Sequence, residues 1–161
     1  LEEVKSRMEA WKKVIQDVID RVSLRYQSVL AKANASGEIK IINEDDIERA
    51  GLVLYVGFRG TEPVPLNVYT QSGGERSTAT MAFLIALQEH IRSPFRAVDE
   101  YDVHMDPKNR EIISELLLSV IEGSNVQYLV ITPSQLNFDL KNAHIITIQN
   151  IAGSSIVTEM V

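Results

Sequence analysis

"YTQSGGERSTATMAF", residues 69–83, decides how this chain is read. Two adjacent glycines, Gly73 and Gly74, sit among polar residues and run into an apolar stretch that reads as a buried helix from about Ser77 to His90. A helix N-terminus carries backbone N–H groups without helical acceptors and a partial positive charge. Ser72, Gly73 and Gly74 put a hydroxyl and bare amides at such an end. Glycine lets an anion approach the backbone closely. Two readings are open at this point: a tight turn before a helix, and a phosphate contact. An isolated Ser-Gly-Gly favours the turn, so the surrounding sequence has to decide.

Downstream, "FRAVDEYDVHMD" (95–106) belongs to a strand expected over 94–100 that ends in Asp99 and Glu100. Sites in open α/β sheets form beyond the carboxyl ends of strands. An Asp there can hold Mg²⁺ through water, and a neighbouring Glu can orient or deprotonate an attacking water. The plainer reading is a solvated strand end. Asp102, His104 and Asp106 add a candidate metal cluster, but one His with no second at ligand spacing is weak evidence for zinc. Asp106 also has a competing role. It is the expected N-cap of a helix over 106–123, with Pro107 at N1 and Gly123 at the C-terminal stop.

Upstream, Leu1, Val4, Met8, Trp11, Ile15, Val18 and Val22 alternate steps of three and four, an a/d heptad pattern. Glu2, Lys5, Lys12, Lys13, Asp17 and Arg21 fill the polar face. Past Val14 the stripe widens with Ile19, Leu24 and Tyr26, as where a coiled coil runs into a globular body. An amphipathic helix lying on a core has the same pattern. "NASG" (34–37) ends it. Residues 38–42, 51–58, 65–70, 126–132, 144–150 and 154–160 read as strands or extended runs. Apolar strands with helices between them indicate an α/β sheet.

The chain has 161 residues, enough for one domain with a core. The net charge of −6 gives no basic footprint for nucleic acid, so any DNA contact needs a local patch or a partner. The absence of cysteine excludes disulfides and thiolate zinc, and suits an intracellular protein. No apolar run is long enough to span a membrane, and no signal peptide is recognisable. A start at Leu1 rather than Met reads as a fragment or a processed piece.

The order of these features closely resembles the carboxy-terminal half of an ATP-binding-cassette head of the SMC (structural maintenance of chromosomes) family. "QSGGERS" (71–77) resembles the signature motif, "FRAVDE" (95–100) the Walker B strand with its catalytic Glu, and "MDPKN" (105–109) the D-loop. "VITPSQL" (130–136) resembles the switch, or H-loop, and the heptads of 1–22 the returning arm of the coiled coil. The resemblance covers essentially the whole chain. "QSGGERS", "SPFRAVDE" and "ITP" are most similar to the Smc five and six branch, since cohesin- and condensin-type heads usually begin the signature with Leu rather than Gln71. Thr132, Pro133 and Ser134 stand where many cassette ATPases have a His, which puts a His-based γ-phosphate switch in doubt, and His144 reads as a strand-end residue.

The resemblance implies an α/β fold, the C-terminal half of an ABC-type head with a parallel-rich sheet and flanking helices, preceded by a coiled-coil helix. Residues 1–33 would end the arm and 34–161 form the C-lobe. It implies ATP and Mg²⁺ as cofactors, Glu100 as the catalytic residue polarising water, and Asp99 as the Mg²⁺ residue through water. Gln71, Ser72, Gly73, Gly74, Glu75, Arg76, Asp106 and Thr132 would serve nucleotide binding. Of these, Ser72, Gly73 and Gly74 would touch the γ-phosphate of ATP held by an opposite head, while Arg76 rather orients the turn.

No G-x-x-x-x-G-K-[ST] occurs, and "SGEIK" (36–40) is not one. A Walker A lobe must then lie elsewhere in the gene product or on another chain. The expected activity is ATP hydrolysis only when that N-lobe and a second head, identical or related, complete the site; the fragment alone is expected to be inactive. The implied partners are a kleisin-like subunit and, through the full complex, DNA, in chromosome organisation or DNA repair at the chromosome or nucleoid, with no membrane. Two alternatives stand beside this. One is a non-catalytic lobe serving as a platform for a kleisin-like or partner-head subunit, which the intact Asp99-Glu100 pair argues against. The other is a cassette ATPase of the double-strand-break repair type, in which a clear switch His is expected.

Overall fold

In the computed structural model, residues 2–122, 125–134 and 144–160 are described. The chain opens with α1, Glu2–Lys32, one continuous helix with Glu2 and Glu3 in its first turn and Lys32 in its last, each complementing the helix dipole. Its apolar stripe turns inward progressively. Met8, Trp11, Ile15 and Val18 are half-buried, whereas Ile19, Val22, Tyr26, Val29 and Leu30 are buried. Leu24 departs from the expected stripe and is 67% exposed, because its position falls on the helix face opposite the core. Asn34, at φ +55, stops the helix in the left-handed conformation that Asn tolerates better than most residues. The "NASG" break is therefore a single residue, and the next three already belong to β1, Ala35–Ile42.

β1 pairs antiparallel with β2, Gly51–Phe58, from Ala35↔Phe58 to Ile42↔Gly51. Gly37 is needed in β1: a Cβ there would lie 2.1 Å from the Tyr55 carbonyl oxygen and 2.8 Å from Leu30 Cδ1. β3 is short, Val64–Pro65, against β2. The extended run expected over 65–70 is corrected accordingly. Asn67 Oδ1 accepts from the backbone N–H groups of Tyr69 (2.8 Å) and Thr70 (3.0 Å), which folds that segment into a side-chain-held turn.

α2, Gly73–Gln88, begins four residues before the expected Ser77. β4 (Phe95–Asp99), α3 (Pro107–Glu122) and β5 (Gln127–Ile131) form a crossover whose strands pair in parallel, Phe95↔Gln127 to Asp99↔Ile131. β6 (Ile145–Ile151) and β7 (Ser154–Met160) form a hairpin turned by Ala152 and Gly153, both at positive φ as a type I′ turn requires. The expected helix stop at Gly123 lies outside the described residues, as do Leu1 and the last two residues of "VITPSQL".

The fold is α/β, with one correction to its sheet. Among the described residues only β4–β5 is parallel; β1-β2-β3 and β6-β7 are antiparallel. Parallel pairing needs a long crossover, which α3 supplies between β4 and β5, whereas β1-β2 and β6-β7 are joined by short connections. α2 packs against both α1 and α3. Its Ala79, Ala82 and Ala86 are fully buried, so the backbones approach closely, and Ile85, Ile113, Leu116, Tyr26 and Leu30 fill the shared core. Burying a side chain such as Ile85 contributes about 1.5–3 kcal/mol. The core thereby fixes where α2 starts and where β4 and β5 end.

Candidate functional site

Ser72 is the N-cap of α2. Its Oγ accepts from the Glu75 N–H (3.2 Å), and the Glu75 carboxylate accepts from the Ser72 N–H (2.9 Å), a reciprocal capping box. This leaves the first-turn amides of Gly73 and Gly74, which have no helical acceptor, at the open end of the helix. The two glycines differ. A Cβ on Gly74 would sit 2.7 Å from the His104 carbonyl oxygen, so packing excludes a side chain there. A Cβ on Gly73 would meet nothing nearer than His104 Cβ at 4.0 Å.

The turn before the helix is braced from inside. Gln71 is only 7% exposed, and its Oε1 accepts from the Asn67 N–H (2.9 Å) and the Thr70 hydroxyl (2.8 Å). Arg76 Nη1 donates to the Gln71 carbonyl at 2.8 Å, so the guanidinium holds the turn. Gly73, Arg76, Ser77, Thr80, Glu100 and His104 line one open cleft of about 330 Å³. The structure thus brings Gly73, at the start of α2, and Glu100, just past the end of β4, to one surface.

Asp99 and Glu100 are exposed at the end of β4, and among the described residues neither side chain is held by an ion pair or hydrogen bond. Glu100 sits at φ +47, a conformation uncommon outside glycine. Its N–H donates to the Ile131 carbonyl (2.9 Å), carrying the β4–β5 pairing one residue further.

The metal cluster considered at Asp102, His104 and Asp106 does not form, and no metal-holding group of three or more such side chains occurs among the described residues. Asp102 is fully buried and turned inward, where the Thr132 hydroxyl meets both carboxylate oxygens at 2.9 Å and Arg110 Nε lies at 3.4 Å. Asp106 is the cap of α3: Oδ1 accepts from the N–H groups of Lys108 and Asn109 (3.1 Å each), and Oδ2 accepts from Asn109 Nδ2 at 2.7 Å. Thr132 Oγ1 also accepts from the Ser134 N–H at 3.0 Å. His144 directly precedes β6 and lies 3.6 Å from Glu159.

Besides the Asp102–Thr132 pair, one buried and one half-buried tyrosine contact escaped sequence reasoning. The Tyr101 hydroxyl lies 2.6 Å from Ser114 Oγ, and the Tyr128 hydroxyl donates to Gln88 Oε1 at 2.8 Å. Burial pushes both phenols above the usual tyrosine range.

Residues 7–153 match the family described as RecF/RecN/SMC N terminal domain. The chain belongs to the SMC family. A similar curated relative, structural maintenance of chromosomes protein 5 of Caenorhabditis elegans, is 33% identical over 136 residues. The match takes in 79% of this chain but only 13% of that relative. Other curated SMC relatives also carry protein 5 and protein 6 names, in agreement with the five and six branch. A solved SMC head bound to the C-terminal winged-helix domain of ScpA superposes with a TM-score of 0.75 at 26% identity, over 92% of this chain and 45% of that one. A structure from work on ATP-driven dimerization and DNA-stimulated activation of SMC ATPases gives a TM-score of 0.70 at 24% identity, over 93% of this chain and 89% of that one. The α/β architecture is therefore that of part of an SMC head.

Proposed function

We propose that residues 34–161 form the C-terminal lobe of an SMC ATPase head and residues 1–33 the end of its coiled-coil arm, and that the head binds and hydrolyses ATP when joined by a Walker A lobe and a second head. One observation carries this reading most: Gly73 at the start of α2 and the Glu100 carboxylate line one open cleft, and Asp99, the residue before Glu100, is likewise exposed and without a side-chain partner among the described residues. The residues present suit MgATP. Bare first-turn amides and the Ser72 hydroxyl fit an anion, and Mg²⁺ commonly takes one or two carboxylates while keeping its waters.

In this reading Asp99 holds the hydrated cation and Glu100 accepts the proton of the attacking water. Bound Mg²⁺ would neutralise charge developing on the phosphates. Ser72, Gly73 and Gly74 receive the γ-phosphate of nucleotide held by the opposite head. The fixed backbone supplies positioning, which is most of what phosphoryl transfer asks of a protein. Gln71, Glu75, Arg76 and Asp106 act by holding the two loops in shape. A kleisin-like subunit and DNA are the partners suggested by the names of the similar solved structures. Work at the chromosome, in its organisation or repair, is the setting that the names of the curated relatives suggest.

Reconstitution tests this. Residues 1–161 alone should not turn over MgATP, and addition of the lobe carrying Walker A should restore binding and turnover. Hydrolysis by the lone chain, purified free of contaminating ATPase, refutes the reading. A completed head that binds ATP and dimerises without turnover favours a platform role instead.

A further inference from the structure

Asp102 is the one fully buried carboxylate among the described residues, and the proposed reaction gives it no task. It lies two residues past Glu100, while its main partner, Thr132, lies one residue past Ile131. These are the corresponding exits of the paired strands β4 and β5, where Asp99 stands opposite Ile131. Between them sits Glu100, with its backbone at φ +47 and its N–H on the Ile131 carbonyl. A non-glycine residue keeps such a conformation only when its surroundings over-determine it.

We propose that Asp102 and Thr132 form a clasp joining the two loops beyond β4 and β5, and that this clasp positions Glu100 for hydrolysis. The inference rests on the functional reading above. The Thr132 hydroxyl donates its one hydrogen between the two Asp102 oxygens, and its own oxygen accepts from the Ser134 N–H. Arg110 pairs by charge from the other side, with Nε 3.4 Å from Asp102 but not hydrogen-bonded to it, and Nη2 donates to the Met105 carbonyl at 3.5 Å. The clasp thus ties residues 100–105, the start of α3 and residues 132–134 into one unit. It stands where a switch His is missing, and it assigns Thr132 to a neighbouring carboxylate instead of to nucleotide. Asp102 and Thr132 are positioning residues, acting through Glu100.

Thr132→Val keeps the shape of the side chain and deletes both the donor to Asp102 and the acceptor of the Ser134 N–H, and Thr132→Ser keeps both. In the completed head, Thr132→Val should lower kcat by between about tenfold and a hundredfold, as small misplacements of a reacting group do, with KM for ATP little changed. Thr132→Ser should restore most of the rate. Before nucleotide is added, hydrogen exchange at the Glu100 amide, whose acceptor Ile131 is untouched, should speed up in the Val variant and not in the Ser variant. Asp102→Asn, which keeps an acceptor for Thr132 but weakens the tie to Arg110, should fall between them; it also decides the matter if Thr132→Val does not fold. Unchanged exchange, or kcat and KM shifting together, overturns the clasp's positioning role while the ATPase reading stands. A completed parent head with no ATP turnover overturns the functional reading itself and the positioning role with it.

Discussion

The carbonyl oxygen of His104 occupies the space that a side chain on Gly74 would need, with only 2.7 Å to an added Cβ, whereas Gly73 one residue earlier leaves 4.0 Å. Packing within this chain therefore explains Gly74 but not Gly73. Gly74→Ala should push residues 104–105 away and destabilise the lobe by about 1–3 kcal/mol, the usual cost of overpacking. Gly73→Ala should leave stability unchanged or slightly raised, since alanine is the better helix former. In the completed head, Gly73→Ala should still weaken ATP-dependent head engagement, because the methyl group would cover an amide that the proposed function assigns to phosphate. Urea unfolding and light scattering with MgATP separate the two effects. Equal stability losses would remove the distinction.

Ser72 both caps α2 and faces the cleft end of the helix, so its two roles need separate substitutions. Aspartate caps as well as serine does and complements the helix dipole. Ser72→Asp should keep the melting temperature of the lobe within a few degrees, while its charge repels a γ-phosphate arriving from the opposite head. ATP binding to the same head should survive, and dimerisation and turnover should fail. If nucleotide binding itself is lost in a folded head, Ser72 does not act across the interface.

Alkaline stability follows from buried phenols. Burial raises the ionisation of Tyr26, Tyr101 and Tyr128 above the ordinary value of 10.0. In the unfolded chain these hydroxyls lose protons near the ordinary value, while in the folded chain they hold them. Their contribution is thus fully present below pH 10 and lost as pH rises from there through the raised folded values. Tyr26→Phe removes the most strongly shifted group at the modest cost of a 3.3 Å hydrogen bond to the Tyr55 carbonyl. Urea midpoints across this range should fall less steeply for Tyr26→Phe than for the parent. Parallel curves would contradict the assignment.

How much of this could be read from the sequence depends on the range of the interactions. The inward stripe of α1 was legible because a 3.6-residue period repeats locally, although Leu24 shows that one apolar residue says little about its own face. The start of α2 was misplaced by weighing Gly73-Gly74 as loop. The capping box Ser72-x-x-Glu75 was the available signal and fixes the start at Gly73. The short β3 hinged on Asn67, whose side chain competes with strand pairing. The order of several short motifs is what singles out Asp99, Glu100 and the Ser72–Gly74 turn as candidates. The Asp102–Thr132 contact was not, because it spans 30 residues and arises only once β4 and β5 pair in parallel register.

Glu100→Gln separates an enzyme from a platform. The amide has the shape of the carboxylate but cannot accept a proton from water, and removing a general base typically costs on the order of 10²–10⁴-fold in rate. Glu100 is exposed and its side chain holds no other described residue, so the substitution should not disturb folding. Its backbone bond to Ile131 is retained whatever the side chain. In the proposed reading Asp99 would still hold the cation, so ATP affinity should persist. The completed head should bind ATP, engage its partner and stay engaged, because release waits on hydrolysis. Asp99→Asn should behave differently and lose Mg²⁺-dependent binding as well. Steady-state ATPase rates and dimer fractions, measured with and without MgATP, discriminate these outcomes. A Glu100→Gln head whose turnover stays within about twofold of the parent, far short of a lost general base, would remove Glu100 from the chemistry. The site would then serve head engagement alone.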